Sequence, residues 1–462
     1  MESILSNYLK RFCGKRVAVV GLGISNTPLI QLLLDAGAQV IGCDKRDLAA
    51  LGGKASQLQE AGVQLKLGED YLSSIQADVI FRTPGLSYTL PELQEYRKQG
   101  VAITSEMELF FDVCPATLIG VTGSDGKTTT TTLIAEMLKA AGKTVYLGGN
   151  IGAPLLPQTD QMKPEDYAVV ELSSFQLMSM RRSPDIAVVT NLSPNHLDIH
   201  KTMEEYIDAK KNILLHQNGL SRSVLNLDNE ITASFASLTR GDTLFFSRKQ
   251  ALESGAYAAP DGTLCLSRNG QKTVVMKESD ILIPGKHNVE NYLAAMAAVW
   301  GIIDPETMVQ VARSFAGVEH RIELVRQKDG VRWYNDSIAS SPTRTIAGLL
   351  SFDQRVILIA GGYDKDIPFD ALGPKIVERV KCLILMGATA DKIEASVKAS
   401  PGWSSDTTPI LRVNNMEEAV DAAHQVAKFG DIVTLSPACA SFDLYPNFAA
   451  RGRHFKELVK AL

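Results

Sequence analysis

Residues 123–129, Gly-Ser-Asp-Gly-Lys-Thr-Thr, set two glycines, a lysine and three hydroxyls between an apolar run and a helical pattern. Glycines let a turn aim backbone N–H groups at an anion, and a helix start adds its positive end. Lys127 is placed to reach terminal phosphates, and the Thr128 hydroxyl to ligate magnesium. Gly123, Ser124, Asp125, Gly126 and Thr129 complete the cradle. The long pattern G-x-x-x-x-G-K-[ST] is not met, because Val121 stands five residues before Gly126; a shorter G-x-x-G-K-T remains. With a strand before it and a helix after it, the turn predicts a polyphosphate site with ATP as occupant.

Three strand ends near it carry polar groups: Asn150 in GGNIG, Glu171 in VVELSSFQL and Asn191 in VVTNLSPNHLD. Carboxyl ends of parallel strands form the crevice of such sheets. Glu171 is therefore a candidate Mg2+ ligand, since this ion takes oxygen donors and few of them from protein. His196 and Asp198 follow in a loop, where a histidine is as readily a surface residue as a ligand. Lys210 lies in the acid-rich EEYIDAKKNIL, and its spacing alone reads as a solvated helical lysine pairing with a nearby glutamate.

A second glycine turn, GLGISN, supplies Gly21 and Gly23 of a dinucleotide fingerprint, but Asn26 occupies the third glycine position. Asp44, ending the next strand, stands where an acid would meet a ribose hydroxyl. RTPG, Arg82 to Gly85, adds a close-approach turn at the same sheet edge. These features alone leave NAD, another nucleotide or tight packing open.

The elements that must hold these groups read as alternating strands and helices. RVAVVGLG, TPLIQLLLDAG and AQVIGCD open one series; LIGVTG, TVYLGGN, YAVVELSS and IAVVTNLS a second; RVILIAGG, CLILMG, PILRV and DIVTLSP a third. Continuously apolar strands between helices predict parallel sheets covered on both faces. A turn-rich stretch from about Leu225 to Val275 predicts an antiparallel edge. At 462 residues the chain exceeds one core. The expected fold is three α/β domains: Rossmann-like at 1–115, a P-loop-type ATPase domain with a mainly parallel sheet at 116–317, and Rossmann-like again at 318–462.

A formal charge of −5 gives no basic excess to attract nucleic acid. Six cysteines, none in a C-x-x-C pair, favour reduced thiols over disulfides or a zinc site. No signal-like or membrane-spanning run is present, so a cytoplasmic location is expected.

GVTGSDGKTT, GGNIG, ELSSFQL, NLSPNHLD, YIDAKKNI, GKHNVENYLAA, EHRIE, NDS and SPACASFD occur in this order, and together they resemble the Mur ligases. These are ATP-dependent amide-forming enzymes of peptidoglycan precursor synthesis. ELSSFQL and the closing SPACASFDLYPNFAARG are similar to the D-glutamate-adding branch.

The resemblance implies three small-molecule substrates: ATP, UDP-N-acetylmuramoyl-L-alanine and D-glutamate. A monomer is the expected state. The first turn would hold the UDP-sugar rather than NAD, through Ile24, Ser25, Asp44, Lys45, Arg46 and Gly85, with Asn150 facing the same substrate. Lys127 and Thr128 would handle phosphate and metal, while Glu171 and His196 would ligate Mg2+, two sites being expected. Asn288 and Arg321 would contact the ATP base and phosphates, and Asp336 its ribose. Lys210 matches the lysine that the family carries as a carbamate, a further metal ligand. Ser340, Lys365, Ser441, Phe442 and Phe448 match positions around D-glutamate. In one departure, Ile338 stands where the family commonly has lysine, with Arg344 a turn or so later.

Overall fold

A computed structural model describes residues 3–193, 200, 202–365 and 367–462. Its apolar runs pair into three sheets among the described residues. The first comprises β1 (Arg16–Val20), β2 (Gln39–Asp44), β3 (Gln64–Leu67), β4 (Val79–Arg82) and β5 (Ala102–Thr104), in the order β3-β2-β1-β4-β5. All neighbours in it are parallel. The chain builds outward on one side of β1 and then crosses to β4. The loops after β1 and β4 therefore diverge and leave a crevice, which is where GLGISN and RTPG lie.

The second sheet holds β6 (Thr117–Thr122), β7 (Val145–Gly149), β8 (Tyr167–Glu171), β9 (Ile186–Val189), β10 (Arg222–Asn226), β11 (Asp242–Ser247), β12 (Gly255–Ala258), β13 (Thr263–Arg268) and β14 (Gln271–Lys277). Their order is β14-β13-β12-β11-β10-β9-β6-β8-β7. The direction of winding reverses at β6, and its carboxyl end feeds the 123–129 turn. The antiparallel edge expected from about Leu225 starts later. β10 pairs parallel with β11 and β11 with β12; the change to antiparallel pairing comes at β12 with β13. The reason is connection length: the helical segments Glu230–Ser234 and Phe235–Leu238 supply a crossover between β10 and β11, whereas a tight turn joins β12 to β13.

The third sheet is β15 (Glu323–Lys328), β16 (Val331–Asn335), β17 (Val356–Ala360), β18 (Val380–Leu385), β19 (Ile410–Arg412) and β20 (Ile432–Leu435), ordered β15-β16-β20-β17-β18-β19. β15 is an antiparallel edge on an otherwise parallel sheet. The expected three-part α/β organisation is thus present, with mainly parallel sheets.

By packing, the chain divides into two compact units: Met1–Met276 with Glu290–Val311, and Lys277–Val289 with Ala312–Leu462. The first unit contains both the first and second sheets because one apolar cluster runs through them. It passes from Val17, Leu29 and Phe81 through Phe110 and Phe111 of the helix Glu106–Val113 to Leu155, Leu172 and Leu177. All six cysteines are free. Among the described residues no helix is long and apolar enough to cross a membrane.

Candidate active site

The helix Lys127–Ala140 begins where the sequence predicts it, capped by Gly126 in the left-handed region at φ +77°. A Cβ on Gly126 would overlap Asn291 Oδ1, and one on Gly123 would overlap Thr190 Oγ1. The turn therefore needs glycine at both positions, for conformation and for space. Asn191 shapes its middle: the Ser124 amide donates to Asn191 O (2.8 Å) and the Asp125 amide to Asn191 Oδ1 (3.0 Å). Lys127 Nζ donates to Gly123 O at 3.0 Å and Ser124 O at 2.8 Å, so the ammonium sits inside the turn.

Beside it, Thr128 Oγ1 donates to Glu171 Oε2 at 2.7 Å, and Asn150 Nδ2 donates to Glu171 Oε1 at 2.8 Å. The strand ends of β7 and β8 thus bring Asn150 and Glu171 to the helix start, as the crevice rule requires. His196 and Asp198 lie outside the described residues.

Lys210 corrects the reading that spacing alone gives. It is 1% exposed, on the helix Met203–Leu215, and donates to Thr122 Oγ1 at 3.0 Å and Gly123 O at 2.9 Å. The solvated, acid-paired lysine of that helix is instead Lys211, bonded to Asp208 at 2.7 Å. Helical rotation turns adjacent residues about 100° apart, so one faces the turn and the other water. Burial, and secondarily the Lys127 ammonium, hold the Lys210 amine well below the usual lysine range. Tyr206 packs against it, 4.9 Å from ring centroid to Nζ, and meets Ser124 Oγ at 3.1 Å.

At the first turn, Asp44 is spent on the protein itself. Its Oδ2 accepts from the Leu22 amide (2.8 Å), and its Oδ1 from the Arg46 amide and Nε (2.9 Å each). The Arg46 side chain beside it holds its carboxyl down at about 2. Asp44 therefore braces the turn. Arg46 Nη2 and Lys54 Nζ converge on Leu22 O at 3.2 and 2.9 Å, giving a two-cation face; no sequence signal marks Lys54. Ile24 is 81% exposed and Ser25 is exposed beside it. Lys45 reaches outward to Glu69 at 3.7 Å, and Gly85 is exposed in the turn after β4.

Arg82, quoted in RTPG without a role, is fully buried. It donates to Phe175 O at 2.8 Å and Ser179 Oγ at 2.7 Å, and Ser179 in turn donates to Glu108 Oε2 at 3.0 Å. This chain ties β4 to the ELSSFQL segment that begins at Glu171.

In the second unit, Arg321 stands between two residues with left-handed backbone, His320 at φ +65° and Ile322 at φ +44°. Such strain in a β-branched residue persists only where its surroundings impose it, and it clusters at working sites. Here the Ile322 amide donates to Asp336 Oδ1 at 3.3 Å and the His320 amide to Glu323 Oε2 at 2.9 Å. Asn288 is buried, its amide donating to Pro284 O. The Arg344 guanidinium donates to Ile338 O at 3.3 Å, so a cation does stand beside the position lacking the family's lysine.

Ser441 is buried, Ser340 half-buried and Lys365 exposed; Phe442 and Phe448 are 62% and 38% exposed. Buried Arg451, given no role in the sequence reading, donates to Ser337 O (2.9 Å), Cys439 O (3.1 Å) and Ala440 O (3.0 Å). It thereby fixes the Ser337 and Ser441 loops together.

Asp336 also accepts from Ser436 Oγ at 2.7 Å, yet burial raises its carboxyl to about 7. An unfolded aspartate ionises near ~3.9. Between that value and 7 the folded protein holds a proton that the unfolded chain has lost, so this group's contribution to stability falls as pH rises through the window. Asp336→Asn should flatten the fall in urea-unfolding stability between pH 5 and pH 8 by about 1–3 kcal/mol. An unchanged slope would count against a protonated Asp336.

Three family descriptions match the chain: "Mur ligase MurD-like, N-terminal domain" over residues 15–105, "Mur ligase middle domain" over 121–299 and "Mur ligase, glutamate ligase domain" over 320–439. Proteins named UDP-N-acetylmuramoylalanine--D-glutamate ligase are similar along the full length. That of Acetivibrio thermocellus is 53% identical and that of Clostridium beijerinckii 52%, each comparison covering 100% of both chains. Among solved structures, the UDP-N-acetylmuramate-alanine ligase MurC of Thermotoga maritima aligns with TM-score 0.57 at 18% identity, covering 97% of this chain and 99% of its own. A UDP-N-acetylmuramoyl-L-alanyl-D-glutamate--2,6-diaminopimelate ligase gives 0.56 at 19%, covering 92% and 87%. At these identities the two structures speak for the fold.

Proposed function

Because the chain belongs to the Mur ligase family, which carries out ATP-dependent amide ligation in peptidoglycan precursor synthesis, we propose that it adds D-glutamate to UDP-N-acetylmuramoyl-L-alanine, releasing ADP and phosphate. The choice of D-glutamate follows the names of its full-length relatives. The observation that carries the chemistry is the grouping of Lys127, Thr128, Glu171 and Lys210 on one glycine turn. In this reading 1–115 takes the nucleotide-sugar, 116–317 the ATP phosphates and 318–462 the amino acid, in the cytoplasm.

A carboxylate resists attack by an amine because its anionic oxygen repels nucleophiles and leaves poorly. Transfer of the ATP γ-phosphoryl group to that oxygen makes an acyl phosphate and releases ADP. The work of this step is positioning and neutralising anions, which falls to Lys127 and the amides of 123–129. The D-glutamate nitrogen then bonds to the acyl carbon, the bond from that carbon to the phosphate oxygen breaks to release phosphate, and the nitrogen gives up two of its three ammonium protons, keeping one as the amide N–H. Lys365 supplies a cation for the amino acid's carboxylates, and Ser441 a hydrogen bond.

The donor set suits Mg2+: the Thr128 hydroxyl and a Glu171 oxygen, 2.7 Å apart, are two hard ligands, about the number this ion takes from protein beside phosphates. When bound it would neutralise phosphate charge. As an ammonium Lys210 cannot ligate a cation, and its neutral nitrogen is a poor donor for Mg2+, which prefers oxygen. Its depressed basicity favours the neutral form, which reacts with CO2 to give N–COO⁻ and a released proton, adding oxygen donors for a second ion.

The test is phosphate release from ATP in the presence of UDP-N-acetylmuramoyl-L-alanine and single amino acids. D-glutamate should drive release far above buffer. If it does not, while L-lysine or meso-diaminopimelate does, the assigned step is wrong.

A further inference from the structure

Among the described residues, five buried side-chain atoms lack a hydrogen-bond partner: Asn26 Oδ1, Arg82 Nε, Glu106 Oε1, Tyr292 OH and Arg355 Nε. Asn26 and Glu106, 2% and 7% exposed, line one cavity. The orientation of the Asn26 amide is fixed, since Nδ2 donates to Val20 O at 3.1 Å and Gly21 O at 2.9 Å, leaving Oδ1 turned away from the glycine turn. Glu106 opens the helix Glu106–Val113. The Leu156 amide favours its charged form, no cation contributes, and burial lifts its carboxyl to about 7. A buried polar atom without a partner costs about 1–3 kcal/mol, so two residues that carry one and line the same space mark a place built for a polar guest.

The cavity encloses about 20 Å³, room for a single water-sized group. Its floor is Asn26, Glu106 and Gln176; at its rim are exposed Ser25 and half-buried Pro84 and Gly149. Ser25 and Pro84 belong to the β1–β4 crevice, while Gly149 precedes Asn150, which is bonded to Glu171. On the function proposed above, on which this step rests, the substrate's nucleotide lies at the first crevice and its carboxylate at the second. The arm between them must cross this rim.

We infer that the Asn26–Glu106 cavity is a subsite for that arm, taking one of its hydroxyl or amide N–H groups as donor to Asn26 Oδ1, with the Glu106 carboxyl as second partner. This makes the two residues specificity determinants for the acyl-sugar part of the substrate rather than for its nucleotide. It also gives Asn26 a role at the fingerprint position usually held by glycine.

Calorimetric titration of the full chain with UDP-N-acetylmuramoyl-L-alanine and with UDP alone tests this. Glu106→Leu, and the smaller truncation Glu106→Ala, should weaken the full substrate about tenfold and UDP less than twofold, the retained UDP binding also reporting a folded protein. Glu106→Gln, which keeps a carbonyl oxygen there, should recover most of the loss. Unchanged affinity for the full substrate in both truncations would mean that the cavity holds only solvent water, and it would overturn the inference. So would equal weakening of UDP and full substrate in the truncations and in Glu106→Gln. A wild-type protein that binds UDP but not the longer substrate would instead remove the proposed function, and this subsite with it.

Discussion

Lys210→Ala is expected to lower D-glutamate-dependent phosphate release by about 10²–10³-fold, the scale of losing one preorganised electrostatic group at a reacting phosphate. Lys210 is buried beneath the phosphate turn, with its Nζ 2.9 Å from Gly123 O and its nearest charged neighbours at the site itself. A lysine in such a place carries a large desolvation penalty as an ammonium and relieves it by staying neutral. The neutral amine is also the form that captures CO2, which converts a base into an anionic oxygen ligand. On the carbamate proposed above, alanine would remove the anion but leave a pocket of nearly its size. Added formate or acetate should therefore restore part of the lost turnover, with little effect on wild type. An alanine variant as fast as wild type would refute the role, whereas a slow variant that no carboxylate rescues would leave Lys210 a structural residue.

The second large effect is expected for Lys127→Ala: a fall of about 10³-fold in turnover, with UDP-N-acetylmuramoyl-L-alanine binding changed less than threefold. The Lys127 ammonium is already gathered into the turn, where it donates to Gly123 O and Ser124 O, carbonyls that phosphate oxygens would replace. Little is lost in ordering the side chain, and the charge is available where negative charge is transferred. Initial-rate kinetics with ATP varied, alongside calorimetry with the nucleotide-sugar, separate the two ligands. A loss of nucleotide-sugar binding as large as the loss of turnover would mean that the substitution had collapsed the turn.

The glycine turn was legible because its pattern is local. Gly123, Gly126, Lys127 and Thr128 lie within six consecutive residues, and the strand before them and helix after them are short-range patterns. The parallel sheets were legible for a similar reason, since apolar strands separated by helices admit few other arrangements. β15 and β16 went unmarked although Asp329-Gly330, both with positive φ, is a hairpin signal; β15 is only half-buried and lacks a strong apolar face. The antiparallel edge was placed too early because strand direction depends on where a chain returns, and strand composition does not carry that information.

By itself the sequence determined the order of elements, the glycine turns and the residue types that a phosphoryl transfer requires, because each is written in neighbouring residues. Tertiary structure alone decided which of two adjacent lysines lies under the turn, that Asp44 is consumed in bracing Leu22, and that Arg82 reaches Ser179 across 97 positions of chain. It also decided that Asn26 and Glu106 share one cavity. These are questions of burial and of which groups are left to pair with one another, and both are properties of the folded packing rather than of any short stretch of chain.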